Sequence, residues 1–178
     1  MSIKHTLTLF HPPKHLPVAA LLLFVLTACS KELPPPVSQE VTQGTVCSLD
    51  GMTLMDYPGP KGQIHYADGS TDFFCDTVEM FSIMLRPEEQ KHIRAVFTQD
   101  MARAEWREPK GQWIDAHSAY YVRGSRQHGS MGPTLAAFAT RADAQAFAQK
   151  YGGSVLAFGE VTIDMVDLYG GAAHDREM

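Results

Sequence analysis

Two sulfur atoms five residues apart open the part of the chain that can fold. Cys47 and Met52 lie in Val46-Cys47-Ser48-Leu49-Asp50-Gly51-Met52. A thiolate and a thioether are soft donors that select Cu(I) over harder cations. Gly51 precedes the methionine and can turn the backbone so that both sulfurs face one point. The same residues also suit a small buried cysteine and a gap-filling methionine at the start of a strand. Two sulfurs are short of a full ligand set, so further donors must come from elsewhere.

The remaining donors are spread along the chain. Met131 stands in Gly129-Ser130-Met131-Gly132-Pro133, where glycines flank an apolar side chain with no evident core to fill. It reads as a metal ligand or contact residue, or as a side chain folded back onto the body. Met101, in Gln99-Asp100-Met101-Ala102, falls where a strand ends, which would leave it exposed. Met80 and Met84 share a helical face with Phe81 and Leu85 and read as core. Cys75 is the other thiol; His117, His128 and Asp50 are alternative nitrogen or oxygen donors. There is no zinc-type cysteine/histidine quartet, no Cys-x-x-Cys, no phosphate loop, no dinucleotide fingerprint and no nucleophile elbow. A carrier of soft metal needs exchangeable sulfurs rather than an acid–base pair, so no enzymatic activity is expected.

The N-terminus has the layout of an export signal. Lys4 and Lys14 precede an apolar run from Leu16 to Leu26, too short for a stable membrane span. Leu26-Thr27-Ala28-Cys29 resembles a bacterial lipobox, which implies cleavage before Cys29 and lipid on that residue. Ser30 after it resembles lipoproteins sorted to an outer membrane. The expected place is the periplasm, with the lipid holding the protein at a membrane surface. Removing residues 1–28 takes two basic residues and no acid, leaving thirteen basic against twenty acidic residues. The net charge then moves from −5 to −7 with histidines neutral. Such a chain is a poor ligand for nucleic acid. Residues 29–45, with Pro34-Pro35-Pro36, read as a lipidated flexible tether.

The elements that must position the donors begin at Val46. Gln63–Tyr66 and Thr71–Phe74 read as a hairpin around Ala67-Asp68-Gly69-Ser70. Asp76 or Thr77 can cap a helix running to Leu85, which Pro87 ends, and Ile93–Thr98 is a third strand. Trp113–Ala116 and Ala119–Val122 are strand-like. Arg123–Pro133 reads as a loop with little anchoring. Thr140 caps a helix over Arg141–Tyr151 that Gly152-Gly153 stops, and Ser154–Phe158 is a last strand. The expectation is an α+β fold of two packed β-β-α-β units, 46–103 and 104–166, within a globular domain 46–170. A loose tail over 167–178 overlaps its end.

In this order, the pieces resemble a known family. Cys47…Gly51-Met52, Tyr57-Pro58-Gly59-Pro60-Lys61-Gly62-Gln63, Gln99-Asp100-Met101-Ala102-Arg103 and Trp113-Ile114-Asp115-Ala116 carry the resemblance. So do Ala119-Tyr120-Tyr121-Val122, Met131-Gly132, Ala137-Phe138 and Gly152-Gly153. The chain resembles the accessory lipoproteins of nitrous oxide reductase, the NosL-type copper chaperones. The resemblance implies a Cu(I)-binding lipoprotein that passes copper to the apo-reductase with help from an ABC-type membrane complex. Its implied ligands are Cys47, Met52 and Met131, with Met101 behind them. Many members carry a second cysteine where this chain has Asp50, so the two-thiol pattern is broken locally. That leaves Cys47, or Cys75 brought in from the hairpin, as the only thiolate, and Asp50 with a histidine could hold a second, harder metal. The rival reading is a metal-free adaptor of a membrane complex, stabilised by a Cys47–Cys75 disulfide. A thiol-dependent enzyme using Cys47 with an aspartate is a third.

Overall fold

Turn chemistry and caps fix the first half of the molecule. The computed structural model describes residues 34–86 and 93–166. The export signal, Cys29, Pro87, His92, His174 and the tail lie outside those residues. Strand β1 (Gly62–Tyr66) returns through a turn as β2 (Thr71–Phe74). Gly69, at φ 87°, supplies the left-handed residue that turn needs, and Asp68 accepts from the Ser70 amide. Helix α1 (Thr77–Met84) starts at Asp76, whose side chain accepts from Val78 N while Glu79 reaches back to Asp76 N. That reciprocal pair is a capping box. Strand β3 (Ile93–Gln99) pairs with β1, and β4 (Trp113–Asp115) with β3, giving an antiparallel sheet in the order β2-β1-β3-β4.

The second unit repeats the plan. Strands β5 (Tyr120–Gly129) and β6 (Gly132–Phe138), helix α2 (Arg141–Tyr151) and β7 (Ser154–Ala157) form a sheet ordered β6-β5-β7. The β-β-α-β order and the strand arrangement match β2-β1-β3 of the first unit, so the α+β pseudo-repeat is present. The boundary differs from the sequence expectation: β4 belongs to the first sheet, so that unit extends past residue 103 to Asp115.

Arg123–Pro133 is also not a loop. It is the long arm of a hairpin whose two-residue tip, Ser130-Met131, is closed by Gly129 opposite Gly132. Side chains of β6 alternate between two cores. Leu135 and Ala137 join the larger one with Ile64, Met80, Phe81 and Tyr121, and Ala136 and Phe138 join the one under α2. A strand buried on both faces shows no polar alternation, which is why an alanine-rich stretch after Gly-Pro did not read as a strand. Met80 and Met84 are core, as their spacing predicts.

Candidate metal centre

The Cys47–Met52 loop is closed by its own backbone. Cys47 N donates to Met52 O at 2.8 Å and Gly51 N to Cys47 O at 2.9 Å, with Gly51 at φ 77°. The Asp50 carboxylate accepts from Met52 N, an Asx turn that holds the methionine opposite the cysteine. Ser48 ties the loop to β2, donating from its amide to Phe73 O and accepting Phe73 N on its hydroxyl. Met52 is half-buried against the cluster that contains both cysteines.

The end of β2 brings in the second thiol. Cys75 immediately precedes the capping residue of α1, and its sulfur meets the same Glu79 carboxylate as Cys47. Both cysteines are buried and free, so the disulfide of the adaptor reading is not formed. Glu79, also fully buried, lies between them. Its Oε2 is 3.3 Å from Cys47 Sγ and 3.2 Å from Cys75 Sγ, and it accepts Cys75 N at 3.1 Å. One donor atom from each of Cys47, Asp50, Cys75 and Glu79 falls within 4.8 Å of the others. Only Asp50 of the four is exposed. Among the described residues, no histidine belongs to this cluster.

The hairpin tip of the second unit reaches the cysteine cluster. Cys75 Sγ lies 3.2 Å from Ser130 Oγ, and Ser130 N donates to Asp76 Oδ2 at 3.3 Å. Thr134 Oγ1 donates to Asp76 Oδ1 at 2.7 Å. Met131, next to Ser130 in the tip, is 56% exposed. Val46 and Leu49 are also exposed apolar residues and flank Cys47 in the chain.

Electrostatics favour a thiolate here. The hydrogen-bonded thiols titrate as a pair, one pushed down and the other up. The hydrogen bond from Cys75, aided by the backbone amides of Cys75, Leu49 and Asp50, lowers Cys47 to about 6. The same bond, burial and the Glu79 charge push Cys75 up. Burial, then the Cys47 charge, raises Glu79 to about 8. Below the pocket Lys61 is buried, and its ammonium spends its three donors on the carbonyls of Tyr57, Pro58 and Cys75 at 2.8 to 3.0 Å. Burial lowers it to about 8 against the pull of Asp76, Cys75, Glu79 and Cys47. At neutral pH it remains a cation beneath the sulfurs, a setting that supports thiolate.

These shifts set a pH signature for the metal-free protein. Burial raises Asp76 to about 6 from an ordinary 3.8, and Glu79 moves the same way. An acid with a raised folded pKa binds its proton more tightly folded than unfolded. Its contribution is therefore full below the unfolded value and is lost as pH rises through the folded one. Stability should fall between about pH 4 and 6. Above pH 6 the lowered Cys47 acts in the opposite sense to Glu79 and flattens the curve. Asp76→Asn keeps a good cap and should remove much of the slope between pH 4 and 6 in urea titrations. An unchanged slope would mean that Asp76 does not cause it.

The other sequence-derived donors lie elsewhere. Met101 is not exposed. It is 8% accessible and packs with Val122, Ala136, Phe138 and Ala144 under α2, its amide bonded to Ala137 O. Asp100 folds that segment inward by accepting the amides of Ala102 and Ala139. His117 is exposed beside Asp115 and Phe158, and exposed His128 accepts Trp106 Nε1 on its carbonyl. Glu79, Lys61 and Ser130 had no place in the sequence-derived site. Glu79 was findable, because Asp76-x-x-Glu79 is a capping-box pattern directly after a cysteine.

Fold and site together define an α+β protein with a buried cluster of two thiols and a carboxylate, a donor set suited to a soft metal ion. The NosL family model matches residues 36–166, and the chain belongs to the NosL family. The copper-binding lipoprotein NosL of Stutzerimonas stutzeri is 40% identical over 148 residues, covering 81% of this chain and 77% of that protein. Its namesake in Achromobacter cycloclastes is 36% identical over 156 residues, covering 84% and 80%. The crystal structure of the copper chaperone NosL from Shewanella denitrificans matches with a TM-score of 0.70 at 36% identity. It covers 72% of this chain and 98% of that one.

Proposed function

We propose that this protein is a periplasm-facing lipoprotein, anchored through Cys29, that binds Cu(I) and hands it on without catalysing a reaction. The observation that carries this reading is the Cys47–Cys75 pair, free and buried in the cluster against which Met52 packs. Cys47 supplies the first thiolate and Cys75 the second, while Met52 and Met131 add thioethers. Soft sulfurs in low number suit Cu(I) and leave it exchangeable. Glu79 and Asp50 offer oxygens, a weaker preference for copper. Met101 sits in the other core and has no path to this pocket without repacking.

Delivery follows from the layout. Met131 stands where a partner's ligand would first meet the metal, so ligands can be replaced one at a time. The recipient we infer is the apo-form of nitrous oxide reductase, reached with an ABC-type membrane complex, and the acidic chain would dock on a basic face. The observation behind this recipient is family membership. Ser30 after Cys29 favours the outer membrane.

Met131→Leu keeps the volume and exposure of the side chain and removes the thioether. Its Cu(I) affinity should drop about tenfold with unchanged thermal stability. Equal affinity in competition with a chromophoric chelator would take Met131 out of the site. Delivery is tested by mixing copper-loaded protein with apo-reductase and following copper by mass spectrometry. Copper that stays on the donor, with the membrane complex present, would refute this recipient.

A further inference from the structure

Gln63 and His65 are buried on a face of β1 that no described helix covers. A Cβ on Gly62 would strike Met80 of α1, so Gly62, Ile64 and Tyr66 face that helix. Gln63 and His65 point the opposite way, yet both are buried. What covers them is the segment read from its prolines as a tether. Gln39 N donates to Gln63 Oε1 at 2.8 Å, and Gln63 Nε2 donates to Gln39 O at 3.0 Å. Gln39 Nε2 donates to Thr71 Oγ1, and His65 bridges Thr71 and Gln63, closing a ring of hydrogen bonds. Val41 packs on the main core, and Leu54 N donates to Thr45 O. Residues 34–45 are therefore laid across the sheet, and only 29–33 remain from the tether, outside the described residues.

The direction of the strap matters. Pro34 O accepts from Arg94, near the start of β3, where Tyr66 pairs with Ile93. The strap then crosses toward the opposite end, where Gly62 pairs with Phe74 and Thr98 and Ser48, next to Cys47, bonds to Phe73 O. The thiol pocket and the strap's beginning thus sit at opposite ends of β1, about 13 Å apart along the strand. From Cys29 to Pro34 the chain can reach at most about 18 Å, whereas an unbound chain from Cys29 to Val46 could reach about 60 Å.

We propose that the strap orients the anchored domain on the bilayer, with the Tyr66–Ile93 end and its Asp68–Ser70 turn against the lipid headgroups and the thiol pocket facing away. This rests on the lipid at Cys29 proposed above. The strap turns a flexible leash into a short mooring and keeps the metal end open to a partner.

The test uses the full-length lipidated protein in vesicles of phosphatidylcholine and phosphatidylglycerol. A photo-crosslinking benzoylphenylalanine replaces exposed Ala67, Leu49 or Met131, one at a time. Lipid adducts are expected from position 67 and lost at 49 and 131. Equal adducts at all three, or more at 49 or 131, would overturn the inference. Freeing the strap with Gln39→Ala and Gln63→Ala should spread adducts over all three positions. A flexible Gly-Ser insertion between Leu33 and Pro34, which leaves every strap bond intact, should lower labelling at 67. Labelling that ignores both changes would also count against it. Mass spectrometry of the same preparation separates the two readings. Unmodified Cys29 would remove the anchor itself, whereas lipidated protein with uniform labelling would remove only the orientation.

Discussion

Cys47→Ser is expected to abolish tight Cu(I) retention while leaving the fold in place. The hydroxyl can still donate to Glu79, so the buried carboxylate keeps a partner and the loop keeps its backbone closure through Met52 and Gly51. What disappears is the thiolate that ionises first in the pair. Changes to groups that only support metal ligands cost about 10- to 100-fold in affinity, so removing a ligand should exceed about 100-fold. Competition against a chromophoric chelator reads this directly. Affinity within a few-fold of the parent would move the thiolate role to Cys75 and break the proposed ligand set. Cys75→Ser is the matching control: Ser130 and Glu79 can satisfy its hydroxyl, so the loss reports the second sulfur.

Gly129→Ala should give the largest loss of stability. Gly129 needs no left-handed conformation; it is glycine because its backbone passes against the Asp76 carboxylate. An added Cβ would collide with Asp76 Oδ2 and also meet Thr134 Cβ at 2.9 Å. Neither neighbour is free to move. Asp76 caps α1 and holds Ser130 N and Thr134 Oγ1. On the other side, Gly59 packs so closely that its own Cβ would meet Gly129 Cα at 2.8 Å. Overpacking of this kind costs about 1–3 kcal/mol, and with a capping carboxylate displaced the upper end is expected. Thermal unfolding should begin roughly 6–12 °C lower. Because the hairpin tip would shift away from Cys75, copper retention should weaken as well. A variant with parental stability and affinity would show that the tip does not support the cysteine cluster.

Local chemistry made some elements readable and long-range packing hid others. The β1–β2 hairpin, both helices and their caps were readable because Asp68-Gly69, Asp76, Thr140 and Gly152-Gly153 act on backbone within a few residues. The Cys47–Met52 loop was readable for the same reason. Strand β6 was not, since each of its faces meets a different core and alanine carries little strand preference. The strap was hidden further still: three prolines signal extension, but the partner of Gln39 is a glutamine twenty-four residues away. In the pocket, Cys75 appeared only as an alternative donor because nothing in the sequence says that the start of α1 packs over Cys47. Met101 failed for a related reason. A strand end followed by polar residues looks exposed, and only Asp100 bonding to Ala139 reveals the turn inward.

The most direct test of the copper-carrier account is a thiol count followed by Cu(I) titration against a chromophoric chelator. The lipidated protein should be purified without reductant. Both Cys47 and Cys75 should react as free thiols, and copper should be taken up tightly and stoichiometrically. No reactive thiols and no copper uptake, even after mild reduction, would contradict the account and leave a structural bridge in a metal-free adaptor.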